Sequence, residues 1–127
     1  MILVIVQARM GSTRLRGKVM KEINGKLLIE ILLYRISLAK KIDKIVLAIP
    51  EKNEDDILHN YVKKLGYEGF RGSEKDVLDR YYQAAKRYNP KAVVRITGDC
   101  PLIDPTIVDK VINQFGQEKV DYLNNVT

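Results

Sequence analysis

The residues best equipped for chemistry lie close together near the start of the chain, where positions 7–18 read Gln7-Ala8-Arg9-Met10-Gly11-Ser12-Thr13-Arg14-Leu15-Arg16-Gly17-Lys18. Gly11 and Gly17 permit sharp turns and close approach of backbone amides. Ser12 and Thr13 offer hydroxyls, and the arginines and Lys18 supply charge-assisted bonds to phosphate oxygens. Together they are the equipment of a triphosphate site. The spacing excludes the generic phosphate loops. A Walker A loop needs four residues between its first glycine and Gly-Lys and then Ser or Thr, whereas five intervene here and Val19 follows. The dinucleotide fingerprint needs two further glycines at offsets where Gly11 has none. A merely solvated basic loop is the competing explanation.

A second group is Arg95-Ile96-Thr97-Gly98-Asp99-Cys100-Pro101-Leu102-Ile103-Asp104-Pro105. Asp99 directly follows an apolar run, where a carboxylate can face a ligand crevice. Its hard oxygens suit Mg²⁺ bridging phosphate oxygens, while a loop-capping acid is the alternative. Asp104 reads as a helix cap ahead of Pro105. Cys100 lacks an activating neighbour and reads as a small packing residue, and His59, the single histidine, reads as a surface residue.

Charge supports this emphasis. The net charge is +6, yet residues 1–21 hold five basic side chains and no acid, leaving 17 basic against 16 acidic residues in the rest. A compact cluster suits one polyphosphate better than the repeating backbone of a nucleic acid. With 46% hydrophobic and 30% charged residues over 127 positions, the sequence describes one soluble globular domain. It shows no membrane-length apolar run and no signal-peptide pattern, so a cytoplasmic protein is expected. One cysteine and one histidine exclude an internal disulfide and clustered Cys or His metal sites.

The elements that must position these residues follow from periodicity. Ile2–Val6, Lys44–Ile49 and Ala92–Ile96 are unbroken apolar runs, the pattern of strands buried on both faces. Weaker strands are expected at Tyr67–Phe70 and Val120–Leu123. Helical stripes comprise Leu28, Ile31, Leu32, Arg35 and Leu38; then Ile57, Leu58, Tyr61, Val62 and Leu65, ending at Gly66. A third helix is expected after Ser73, with Val77, Leu78, Tyr81, Ala85 and Tyr88 inward. A fourth carries Ile107, Val108, Val111, Ile112 and Phe115. The alternation predicts a doubly wound, Rossmann-like α/β domain: a mainly parallel sheet with helices on both faces and ligands outside the carboxyl ends of its strands.

The first loop resembles that of the cytidylyltransferases that activate acidic and related sugars, including the spore coat polysaccharide biosynthesis protein F group. Their pattern is Gln/Pro-Ala-Arg-x-x-Ser-x-Arg-Leu-Pro-Gly-Lys, and only Arg16, in place of proline, departs from it. Their Gly-Asp-x-Pro-Leu signature is present as Gly98-Asp99-Cys100-Pro101-Leu102. The segment from Arg71 to Tyr81 is similar to their Gly-x-x-x-Asp-Val-Leu-x-Arg-like stretch near the base, although a capped helix explains the same letters. The resemblance implies a nucleotidyltransferase fold, CTP bound with Mg²⁺, and transfer of CMP to a sugar with release of pyrophosphate. It implies that Arg9, Ser12, Arg14 and Lys18 hold the triphosphate, with Gly11 in the same loop, and that Asp99 binds the metal. It places backbone groups of Ala8, and Arg71, Ser73 and Arg80, near the base or ribose. Arg14, Lys18 and Asp99 are then the catalytic candidates.

The family is about twice as long as residues 1–127, and its later half supplies a second metal-binding acid, most of the sugar pocket and a homodimer contact. Residues 1–127 are accordingly expected to form its N-terminal, nucleotide-binding part. No nucleic-acid or membrane partner is expected. The other readings are a non-catalytic nucleotide- or partner-binding module, a nucleic-acid-binding α/β domain using the basic loop, and a glycosyltransferase of the same fold class.

Overall fold

A computed structural model describes residues 1–10, 21–23, 25–97 and 104–118. The chain runs β1 (Ile2–Gln7), β2 (Glu22–Ile23), β3 (Lys26–Leu27), α1 (Leu28–Ser37), β4 (Lys44–Pro50), a 3₁₀ turn at Asn53–Asp55, α2 (Asp56–Lys64), β5 (Glu68–Gly72), α3 (Val77–Tyr88), β6 (Ala92–Thr97) and α4 (Pro105–Glu118). Strands β5, β4, β1 and β6, in that order, form a four-stranded sheet, and every pairing in it is parallel. The expected doubly wound α/β architecture is present. The strand expected at Val120–Leu123 lies outside the described residues.

The connections explain the layering. The steps β1–α1–β4 and β4–α2–β5 progress in one direction, so right-handed crossovers place α1 and α2 on one face. The step β5–α3–β6 returns past β4 and β1 and places α3 on the other. Side chains of β1 alternate accordingly. Val4 and Val6 join a buried cluster with Ile29, Leu32, Leu58, Val62, Val108 and Ile112 of α1, α2 and α4. Leu3 and Ile5 join Val46, Ala48 and Ala84 of α3. Leu3, Val4, Ile5 and Val6 are all 0% exposed. At about 1.5–3 kcal/mol for each buried aliphatic side chain, this central strand is a major source of stability.

The helix ends carry the expected signals with some shifts. Gly66 adopts φ 93° after α2, a left-handed conformation that costs glycine nothing. Asp104 starts α4, its Oδ1 accepting from Thr106 N–H at 2.8 Å. The third helix starts later than expected. Ser73 Oγ accepts from Asp76 N–H at 3.0 Å and closes a preceding turn, while Asp76 Oδ1 caps the helix itself by accepting from Asp79 N–H at 2.9 Å. Arg80 and Ala84 face inward and Leu78 is 69% exposed, against the expectation for Leu78. Leu38, Ile57 and Ile107 also face solvent at the margins of their stripes. His59 is half-buried rather than a surface residue, because its ring lies over Gly69, where an added Cβ would come within 2.6 Å of Nδ1. The hairpin of β2 and β3, turning at Gly25 with φ 84°, was not among the expected elements.

Candidate active site

The strand order fixes where a ligand belongs. The chain moves outward from β1 to β4 and β5, then returns to β6 on the other side of β1, so the order reverses between β1 and β6. Such a reversal opens a crevice outside the carboxyl ends of the two strands. Gln7 and Thr97 are register partners, so both strands end level. The segments that follow them are the two richest in candidate chemistry. Gly11, Ser12, Arg14, Lys18 and Asp99 lie outside the described residues; Ala8, Arg9, Arg71, Ser73 and Arg80 lie within them.

Ala8 is buried and extends the ladder by one bond, its N–H donating to Ala48 O at 3.2 Å. In this register the amide of residue 50 would donate to Ala8 O, but residue 50 is proline and has no N–H. The ladder therefore ends there. Arg9 is exposed at the mouth of the crevice. Met10 N–H donates to Asp55 Oδ1 at 2.6 Å.

Asp55 was not a sequence candidate, yet it is 1% exposed. Burial pushes its carboxyl above the ordinary carboxylate range, and Glu54 adds to that effect. The Met10 N–H and the charges of Arg71 and Arg80 act in the opposite sense.

Arg71 and Arg80 prove to have different settings. The Arg71 guanidinium clamps the β4–α2 connection, donating from Nε to Pro50 O at 2.9 Å, from NH2 to Lys52 O at 2.9 Å, and from NH1 to Asp56 Oδ1 at 3.0 Å. Arg80 is 2% exposed and donates from NH1 to Ser73 O at 2.9 Å. Its Nε is buried without a hydrogen-bond partner among the described residues. Burial, then the nearby charges of Arg9 and Arg95, lower its pKa, with Asp55 opposing. Gly72 makes room for it, since a Cβ there would meet Arg80 Cγ at 2.9 Å. Ser73 thus holds its loop through both its hydroxyl and its carbonyl.

Two further polar residues escaped the sequence reading. Gln7, 8% exposed, accepts at Oε1 from Arg95 NH2 at 3.3 Å and donates from Nε2 to Val77 O at 3.4 Å. Arg95 also lies over the Tyr81 ring, 5.8 Å from its centroid, a cation–π arrangement. Polar residues at the end of otherwise apolar strands were the available signal. The carboxyl edge therefore gathers Arg9, Arg80 and Arg95 near one buried carboxylate, a field that attracts anions. Among the described residues no group of three or more His, Cys, Asp or Glu is arranged to hold a metal, and no helix is long and apolar enough to cross a membrane.

Comparison with known proteins accords with this geometry. The chain is 41% identical over 125 residues to the spore coat polysaccharide biosynthesis protein SpsF of Bacillus subtilis, covering 95% of this chain and 52% of that protein. It superimposes with a TM-score of 0.88 and 40% identity on a solved cytidylyltransferase from Leptospira borgpetersenii, covering 93% of this chain and 50% of that one. A CMP:2-keto-3-deoxy-manno-octonic acid synthetase solved with CTP shares the fold at a TM-score of 0.78 and 20% identity, covering 94% of this chain and 48% of that one. The chain spans about half the length of the curated relatives it matches. A sequence model of the cytidylyltransferases matches residues 3–127, and by that match the chain belongs to the cytidylyltransferase family.

Proposed function

We propose that the chain is the nucleotide-binding, N-terminal part of a nucleotidyltransferase that binds CTP with Mg²⁺ and passes CMP to a sugar in polysaccharide biosynthesis. The observation that carries this reading is the reversal of strand order between β1 and β6. Neighbouring strands β1 and β6 end level at Gln7 and Thr97, the residues after which the sequence continues toward Arg14 and Lys18 and toward Asp99, and Arg9 follows β1 at the same edge. In the reaction a sugar oxygen attacks the α-phosphorus and the bond from that phosphorus to the β-phosphate oxygen breaks. Pyrophosphate leaves, and the hydroxyl proton passes to solvent.

Displacement of this kind depends on alignment and on neutralising charge, so cations serve better than a nucleophilic side chain. Arg9, Ser12, Arg14 and Lys18 hold the triphosphate, with Gly11 letting backbone amides approach it; Arg14 and Lys18 stabilise the departing pyrophosphate. Asp99 supplies hard oxygen for Mg²⁺, whose contribution is charge neutralisation on the phosphates. The Ala8 carbonyl, facing a proline instead of a ladder donor, offers an acceptor to the exocyclic amine of a cytosine. Ser73 and Arg80 shape the β5–α3 side of the base pocket, and Arg71 supports the adjoining connection.

Calorimetric titration of the purified chain with CTP, ATP, GTP and UTP, with and without Mg²⁺, tests this. CTP binds most tightly, binding strengthens with Mg²⁺, and that strengthening disappears in Asp99→Ala. Lys18→Ala weakens CTP binding more than CMP binding. Absence of binding by all four triphosphates overturns the proposal.

A further inference from the structure

We infer that Asp55 is a positioning residue for the triphosphate loop: its buried carboxylate fixes the direction in which the chain leaves β1 by holding the Met10 amide. The inference rests on the nucleotide-binding role proposed for that loop.

The first support is that Asp55 forgoes its local role. It occupies the N-cap position of α2, where an aspartate ordinarily accepts from its own helix's first-turn amides, yet it makes no side-chain cap bond. Its Oδ1 instead reaches 45 residues back along the sequence to Met10 N–H, at 2.6 Å. A local preference abandoned in favour of a distant contact marks a place where another requirement prevails. The burial points the same way, because an aspartate 1% exposed costs solvation that a surface cap would not.

The second support is the hydrogen-bond register. Bonds from β1 to β4 recur every second residue, so after Ala8 N–H to Ala48 O the next donor is Met10 N–H and its acceptor would be Pro50 O. That carbonyl accepts from Arg71 Nε at 2.9 Å, and Met10 N–H goes elsewhere. Asp55 supplies the substitute acceptor from outside the sheet. Met10 is thereby held outside the β1–β4 ladder, immediately ahead in sequence of the segment bearing Ser12, Arg14 and Lys18.

Asp55 also connects two parts of the pocket. Arg80, which holds Ser73 O on the β5–α3 loop, is close enough to Asp55 for each charge to favour the other's ionised form. One buried carboxylate thus steadies both the phosphate side and the base side of the crevice.

The test compares Asp55→Ala with Asp55→Asn, whose amide oxygen still accepts from Met10 N–H. The readouts are hydrogen exchange of the Met10 amide and CTP affinity by calorimetry. Asp55→Ala accelerates exchange and raises the Kd for CTP, each about tenfold, and Asp55→Asn restores most of both. Unchanged exchange or unchanged affinity in Asp55→Ala overturns the inference, as does an asparagine variant as impaired as the alanine one. Should Asp55→Ala fail to fold, the scalar coupling across the hydrogen bond from Met10 N–H to the Asp55 carboxylate decides in the unaltered chain: its presence supports the anchor and its absence overturns it. If the unaltered chain binds no triphosphate, the proposed function fails, while Met10 exchange still decides the anchor.

Discussion

The two faces of the sheet are built for different ends. Toward α1, α2 and α4, the strands present Val4, Val6, Leu47, Ile49, Val94 and Ile96, and the helices answer with aliphatic side chains. Toward α3 the strands begin in the same way, with Leu3, Ile5 and Val46, but near their carboxyl ends the packing becomes polar through Gln7, Arg80 and Arg95. Aliphatic burial is favourable in any orientation. Buried guanidinium and amide groups are tolerated only with partners in fixed directions. The first face therefore supplies stability and the second supplies orientation, at the edge where the crevice opens.

The contrast predicts different failures. Leu32, 0% exposed on the aliphatic side, should lose about 2–5 kcal/mol of stability on Leu32→Ala, measured by denaturant unfolding. Its folded fraction should bind CTP as the unaltered chain does; a large loss of affinity at matched folded fraction would break the division of labour. Gly72→Ala on the polar side should cost less, about 1–3 kcal/mol, because the new methyl meets Arg80 Cγ at 2.9 Å and Phe70 Cε1 at 3.1 Å. Its CTP affinity should nevertheless fall, because Arg80 can move only by releasing Ser73 O. Unchanged affinity with reduced stability would show that Arg80 serves packing alone.

The same division explains what could be read in the sequence. Strands expected at Ile2–Val6, Lys44–Ile49 and Ala92–Ile96 appear within a residue at Ile2–Gln7, Lys44–Pro50 and Ala92–Thr97. Burial on both faces demands unbroken apolar runs, and such runs are visible without knowing the partners. The family was legible because loop chemistry is written in consecutive letters. The hairpin carried its own signal in Asn24-Gly25, but strands of two residues leave no periodicity to find. Arg80 was legible as a candidate only through the family resemblance; its burial was not, because the helical stripe read from Val77, Leu78, Tyr81, Ala85 and Tyr88 leaves it out. Asp55 gave no signal at all, since its partner is 45 residues away and no spacing rule reaches that far.

The amino edge of the α3 face sharpens the comparison with a smaller effect. Tyr88 packs beside the second cluster and donates its hydroxyl to Glu68, which also pairs with Lys44 at 2.8 Å. Burial first, and then Glu68, push the Tyr88 phenol from 10.0 up to about 12. Because the folded value lies above the unfolded one, this contribution to stability is complete below pH 10 and declines as pH rises toward 12. An absorbance titration of the tyrosines should find a phenol titrating near 12 that vanishes in Tyr88→Phe, and the stability of that variant should fall less steeply across this alkaline window. Glu68 shifts in the opposite direction, held below its ordinary range first by Lys44 and then by Tyr88, so its contribution is complete above the ordinary value of 4.5 and declines as pH falls from there through the lowered one. CTP affinity measured at neutral pH should be the same with Tyr88 or Phe, because this polar pair sits at the end of the sheet away from the crevice; a loss of affinity would mean that orientation at the carboxyl edge depends on the whole α3 face.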